Sequence, residues 1–383
     1  MTEQRLMKDG LGEDAVERII TALALSIPNF PVKQFRKDAL NGIETLELKA
    51  RVHHLIDVLH QYLPDDFEET AALLIKMETH WDYGDENDPL RWFAAWPVTD
   101  YVGVHGLEHP EISLNVLKHL TSLFSSEFAI RPFIKRHQAI TFEHLKQWCC
   151  DQDEHVRRLA SEGTRPRLPW GQQLPHFIAD PAPVLPLLES LKDDASEYVR
   201  RSVANNLNDI SKDHPDLVIE TCQRWLGSAS KEGLEHKETR KDRQWLVRHA
   251  TRTLVKAGHS DVFALLGFTS DPKVALQSFV LEDAAIGLGE SAVFDIVLQS
   301  TSSNVQKMVL DYAVHHRKKS GQLTAKVFKL RTLTLQPNAS VEVRKAHAFK
   351  QITTRKYYSG EHVIELLING VALGSVNFEL SVP

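Results

Sequence analysis

Three cysteines stand in 383 residues, and two of them, Cys149 and Cys150, are adjacent. No disulfide framework can be built from that set, and a reducing cytoplasm is the compartment it suits. There is no CxxC pair, so a cysteine-based zinc site is not expected, and HExxH, GxxxxGK, GxSxG and GxGxxG are missing as well. The adjacent pairs His53-His54 and His315-His316 cannot both face one metal from a helix. The acid-rich stretch at 81–89 lacks the glycine and the terminal Glu spacing of a calcium loop. None of these site types is found in the sequence. The longest apolar runs fall far short of a membrane span. The first twenty residues carry acids and have no apolar core followed by a small-residue cleavage site, which argues against a secretory signal.

What remains is an ordinary globular composition, 42% hydrophobic and 25% charged. The length suits two or three domains, or one elongated repeat array with a small appendage. The net charge of −6 argues against a nucleic-acid partner only while it is taken whole. Residues 1–130 carry 11 basic and 22 acidic side chains, and residues 261–300 carry 1 and 6. Residues 131–260 carry 21 and 18, and residues 301–383 carry 12 and 5. A polyanion has two basic regions to bind and an acidic one to avoid. Lysines and arginines that merely solvate helix backs would give the same totals.

Helical periodicity dominates residues 11–320. Leu46, Leu48, Val52, Leu55, Ile56, Val58 and Leu59 form one apolar stripe, and Ile112, Val116, Leu117, Leu120, Leu123 and Phe124 form another. An internal repeat runs through the middle. Val156-Arg157-Arg158 follows an acidic turn, Val199-Arg200-Arg201 follows another 43 residues on, and Val247-Arg248-His249 comes 48 residues later. Pro272-Lys273-Val274 and the 304–307 stretch read as degenerate copies. A period of this length is the mark of HEAT-like helix pairs stacked into a curved solenoid. The second helix of each pair then lines the concave side and puts its arginines in a groove.

The pattern changes after Gly321. Residues 326–335 are β-branched and aromatic without a helical stripe, residues 341–350 follow suit, and 362–380 read as a hairpin about Asn369-Gly370. The expected architecture is an all-α solenoid over 1–320 and a small immunoglobulin-like all-β domain over 321–383.

Chemistry concentrates at 156–170. Arg158 and Glu162 are four apart on one helix face. Gly163 ends the helix, and Pro166 and Pro169 hold an extension that carries Arg165, Arg167 and Trp170. In the next repeat Arg201, Asn205 and Asp209 are spaced at i, i+4 and i+8. Stacking the repeats would gather two acids, an amide, several arginines and an aromatic on one face. Arginines hold phosphates, Trp stacks on a base or sugar, and a carboxylate stabilises positive charge on a sugar.

The run ASEGTRPRLPW, followed by VRRSVANNLNDISKDHPD, resembles the AlkC branch of the HEAT-like-repeat DNA alkylation-repair glycosylases, relatives of AlkD. The resemblance covers most of residues 1–320, and an immunoglobulin-like C-terminal domain occurs in part of that branch. It implies a monofunctional glycosylase that excises cationic N-alkylated bases, 3-methyladenine and 3-methylcytosine, from double-stranded DNA. It also implies that the base is not flipped into a pocket and that the reaction uses no metal and no cofactor. Glu162 and Asp209 would be the carboxylates near the lesion sugar, Trp170 the aromatic beside it and Arg158 a clamp on the strand. Glu127 would be a third acid, although a helix-capping role before Arg131-Pro132 suits it as well. Arg165, Arg167, Arg201 and Arg248 are expected to hold DNA from the groove, and Arg355 and Lys356 from a loop of the β domain. For that loop, simple solubilisation with packed tyrosines is the alternative. A cytoplasmic monomer is expected. The competing function is a non-catalytic HEAT-repeat scaffold that binds nucleic acid or protein in its groove, and the acids separate the two, because they weaken polyanion binding unless they serve a reaction.

Overall fold

The computed structural model describes residues 6–231, 237–352 and 355–383. Helices occupy the chain from Glu13 to Leu265, and strands from Val274 to Ser381. It divides into two compact units. One runs up to Asp213 and regains Lys241–Ala250; the other holds His214–Arg240 and Thr251–Pro383. No described helix is long and apolar enough to cross a membrane.

In the first unit the amphipathic stripes bury as their spacing predicts. The Leu48–Tyr62 helix buries Val52, Leu55, Ile56, Val58 and Leu59, and the Pro110–Leu120 helix buries Leu114, Val116, Leu117 and Leu120. The repeated Val-Arg motif has a precise structural meaning. Val156, Val199 and Val247 are all buried. Arg157 donates through Nη1 to the carbonyls of Asp151 (2.9 Å) and Gln152 (2.8 Å), and through Nε and Nη2 to the Asp194 carboxylate (2.6 and 2.9 Å). Arg200 does the same one repeat later, donating to the carbonyls of Asp194 (2.6 Å) and Ala195 (2.9 Å) and pairing with Asp242 at 3.2 Å. Arg157 and Arg200 each close the turn before their own helix and tie that turn to the next repeat. The third copy differs: Val247-Arg248 lies in the last turn of the Lys237–Ala250 helix, and Arg248 donates to the Gln244 carbonyl of that same helix. Arg157 and Arg200 are therefore clips between repeats and not part of an arginine-lined groove. Only the second arginine of each motif, Arg158 or Arg201, leaves by another face.

The second unit corrects the expected boundary. Its strands are β1 (Val274–Leu281), β2 (Ala285–Gly287), β3 (Ser291–Ser300), β4 (Gln306–Arg317), β5 (Leu323–Leu335), β6 (Ser340–Ala348), β7 (Gly360–Ile368) and β8 (Val371–Ser381). They form one sheet ordered β1-β3-β6 and another ordered β2-β8-β7-β4-β5. Phe294, Leu298, Tyr312 and Ile364 belong to the apolar core of this sandwich. The expected boundary at 320/321 falls in the turn between β4 and β5, so the change of architecture comes before Val274. Val274 and Gln306, read above as parts of degenerate helical copies, begin β1 and β4. For β4 the reason is visible: it is buried almost continuously because it lies inside its sheet and Val309 also packs on Ile219, Leu254, Val262 and Phe263. A strand covered on both faces loses its period-two alternation. The hairpin formed by β7 and β8 is where the sequence put it. Asn369 and Gly370 have φ of 47° and 76°, positive at both central turn positions as a type I′ turn requires.

Candidate active site

The Glu154–Glu162 helix is capped by Asp153, whose carboxylate accepts the His155 N–H at 2.8 Å. It packs against the Glu197–Ile210 helix. Gly163 follows with φ of −62°; a Cβ there would stand 2.7 Å from Cγ2 of Ile130, so close approach and not backbone conformation calls for glycine. The loop beyond is held by Arg131, which the sequence reading passed over. Its side chain is wholly buried and donates through Nη1 to the Gly163 carbonyl (2.9 Å), through Nη2 to the Arg165 carbonyl (2.8 Å) and through Nε to the Gln172 carbonyl. Burial, and then the nearby Arg165 charge, draw its guanidinium down to about 10. The loop presents Trp170, 53% exposed and at φ of 63°. That backbone region is strained for a bulky residue and points to a constrained site. Lys49 donates through Nζ to the Trp170 carbonyl.

Three carboxylates gather beneath this loop. Glu162 is 4% exposed; its Oε1 accepts Arg165 Nη1 at 2.7 Å and lies 3.6 Å from Arg158 Nη2, and its Oε2 accepts the Ser202 hydroxyl at 2.6 Å. Asp209 accepts Arg165 Nε on Oδ2 and Lys212 Nζ on Oδ1, both at 2.9 Å. Glu127 accepts the Ser125 hydroxyl at 2.7 Å and Arg158 Nη1 at 2.9 Å. Arg158 thus joins Glu127 to Glu162, Arg165 joins Glu162 to Asp209, and the Arg158 guanidinium lies 4.6 Å over the Tyr198 ring. The environments push the acids apart. Burial raises the Glu127 carboxyl, with Glu162 adding to the rise and Arg158 only partly opposing it. Burial also works to raise Glu162, but Arg158, Arg165 and Ser202 outweigh it and hold that carboxyl below its usual range. A cavity of about 330 Å³ opens beside them, walled by Glu127, Glu162, Trp96, Phe128 and Trp170. Its aromatic floor is a stack of Trp96 on Phe124 (5.1 Å between centroids) and on Phe128 (5.3 Å).

Several expected positions change. The stripe facing the Glu154–Glu162 helix is Ser202, Asn206 and Asp209, not Arg201, Asn205 and Asp209: Asn206 donates to the Ser161 carbonyl at 2.8 Å, while Asn205 faces His249. The spacing i, i+4, i+7 stays on one face, whereas i, i+4, i+8 drifts off it. Arg201 is exposed, pairs with Glu197 and lies 5.9 Å over Trp245. Arg165 is only 7% exposed and has its guanidinium shared between two acids, so it is an internal brace and not a surface phosphate contact. Arg167 grips Asp213 at 3.0 and 2.9 Å from a partly exposed position. Arg248 is exposed and donates to the Gln244 carbonyl at 3.1 Å. In the second unit Arg355 is half-buried against His316, Tyr357 is buried beside it, and Lys356 stands exposed 5.9 Å over Tyr358. The 355–358 segment is thus partly core, not a loop tip of two free cations and two free aromatics. Trp96, Ser125, Tyr198 and Ser202 also escaped the sequence reading. A lone hydroxyl or aromatic carries no signal of its own until the fold shows which acid or arginine it meets.

Residues 124–254 match the model of the DNA alkylation repair enzyme family, and residues 275–382 match the C-terminal Ig-like domain of the uncharacterised protein YhaZ. The chain is 35% identical over 375 residues to protein YhaZ of Bacillus subtilis strain 168, with 98% of this chain and 99% of the relative covered. Among solved structures it is similar to the Pseudomonas fluorescens alkylpurine DNA glycosylase AlkC bound to DNA containing an abasic-site analogue, with a TM-score of 0.87, 36% identity, and 98% of this chain and 100% of that chain covered.

Proposed function

Because the chain belongs to the AlkC-type DNA alkylation repair enzymes, we propose that it is a monofunctional DNA glycosylase. It hydrolyses the N-glycosidic bond of cationic N-alkylated bases, 3-methyladenine and 3-methylcytosine, in duplex DNA. The helices of the first unit stack as HEAT-like repeats, a reading supported by the matching Arg157 and Arg200 clips. The observation that carries the proposal is the unequal pair of carboxyls in one aromatic-walled cavity, Glu162 held ionised and Glu127 pushed towards its protonated form.

A cationic base leaves with the electron pair of its own C1′–N bond and becomes neutral, so no acid has to protonate it. The charge that develops is on the sugar. A fixed carboxylate beside C1′ stabilises that charge without reorganising, and Glu162 is the acid held ionised for this role. Water then bonds to C1′ and gives its proton to Glu127, whose raised basicity suits a general base. Asp209 does not line the cavity and acts through Arg165, which it orients towards Glu162. Trp170 offers a ring to the lesion or its sugar, and Arg158 sets the spacing of the two glutamates. Arg167, Arg201, Arg248 and Lys356 remain the partly or fully exposed cations available to phosphates.

Free 3-methyladenine released from methylated duplex DNA, with the strand left intact at the abasic product, is the expected assay outcome. Strand cleavage through an intermediate trapped by borohydride would exclude a monofunctional hydrolase.

A further inference from the structure

A second cavity of about 200 Å³ lies in the first unit, and Trp96, Phe128 and Trp170 line both it and the carboxylate cavity. His53 and Val104 complete its mouth, and Asp100 stands in its wall. Trp96 Nε1 donates to Asp100 Oδ2 at 2.8 Å. The other oxygen, Oδ1, is buried and meets no donor among the described residues. A carboxylate has roughly four acceptor sites, and only one of them is filled here. A buried acceptor left without a donor is unfavourable, so the wall favours a guest that brings N–H groups. The two tryptophans and Phe128 favour a guest that is flat. Burial pushes the Asp100 carboxyl up to about 7, with the Trp96 indole and then Lys49 only partly opposing it, so the wall resists standing charge and favours a guest that is neutral.

We propose that this cavity binds the free base after excision: a neutral, N-alkylated purine whose exocyclic amine donates to Asp100 and whose rings lie against Trp96 and Trp170. The inference rests on the glycosylase reading, which supplies the guest. While attached to the sugar the lesion base is cationic; once it carries off the bond's electron pair it is neutral. The aromatic partition between the cavities gives the departed base a place apart from the ionised Glu162. An apolar cavity of about 150 Å³ admits a benzene ring, and the larger, polar-walled space here suits a bicyclic base. No flipping of the intact nucleotide is required, because the base enters only after the bond is broken.

The test uses the full chain without DNA and free 3-methyladenine as the probe, with binding followed by calorimetry. Asp100→Asn keeps an oxygen for the Trp96 indole but replaces the second acceptor with an amide N–H. Val104→Trp, at a position 51% exposed on the rim, fills the mouth. Native protein should bind the base, Asp100→Asn about tenfold or more weakly, and Val104→Trp not at all. No binding by the native protein at millimolar base overturns the proposal, as does binding of equal strength by both variants. Native protein that excises from methylated DNA yet fails to bind the free base removes the cavity from the account and leaves the glycosylase. Protein that binds the base but excises nothing removes the glycosylase instead.

Discussion

Glu127 and Glu162 are both glutamates beside the same arginine, and their surroundings separate them. Arg158 serves both, but Glu162 also has Arg165 and Ser202, while Glu127 has Ser125 and the repulsion of Glu162. If Glu127 takes the water's proton it must be ionised to act. Its carboxyl titrates above the usual 4.5, so excision should fall as pH drops through that raised value and level off above it. Glu127→Gln should slow excision by about 100-fold and abolish the acid limb of the pH profile. An unchanged limb in that variant assigns it to another group. At this scale the residue types were legible, since a Trp, four arginines and two acids within two repeats signal charge chemistry. Their directions were not. Arg165 looked like a surface cation because its partners, Glu162 and Asp209, are 3 and 44 residues away, and a contact across 44 residues leaves no local pattern.

The repeated Val-Arg-Arg element shows two adjacent arginines doing different work. Arg157 ties its turn to the nearly buried Asp194, whereas Arg201 pairs with Glu197 in the open, both side chains more than half exposed. Loss of a buried charged partner strands the other charge, while exposed pairs count for little. Arg157→Ala should lower unfolding free energy by about 2 kcal/mol or more, and Arg201→Ala by about 0.5 kcal/mol or less. Denaturant titrations of both proteins check this, and equal losses would deny the inter-repeat clip. The motif was legible as a repeat because its period is set by stacking. Which arginine faces the neighbouring repeat depends on the turn before the helix, where carbonyls of residues 151, 152, 194 and 195 collect the guanidinium.

For the molecule as a whole, the sandwich begins some 47 residues before the expected boundary. β4 hides its alternation between two covered faces, but β3 alternates cleanly with Ala292, Phe294, Ile296 and Leu298 inward, a period-two signal that stands in the sequence and that the helical reading passed over. Over 274–383 the charges number 12 basic and 9 acidic, a smaller basic excess than 301–383 alone suggests. The sandwich also holds three buried histidines in neutral form. His362 donates from Nδ1 to the Gly360 carbonyl (2.9 Å) and accepts the Arg317 N–H on Nε2 (3.3 Å), and His316 accepts from the Arg355 guanidinium. Burial, and then Arg355, draw His316 down to about 3 and His347 to about 4, and burial lowers His362 as well. Each folded value lies below the unfolded 6.5, so the unfolded chain takes up protons first as pH falls. The stabilisation is complete above pH 6.5 and is lost progressively towards these folded values, near 3 to 4. Thermal unfolding should show the second unit weakening over that range, and His316→Phe should reduce the dependence; a melting temperature flat from pH 7 to pH 4 would contradict it.

The central claim is that a buried, ionised Glu162 stabilises the sugar cation of a lesion. Single-turnover excision of 3-methyladenine by Glu162→Gln, with binding to the same duplex measured in parallel, tests it most directly. The expected result is a rate reduced by about 100-fold or more with duplex affinity kept or increased, because removing a negative charge lessens repulsion of a polyanion while only the transition state loses stabilisation. Excision at the native rate, or rate and affinity lost together, would contradict it.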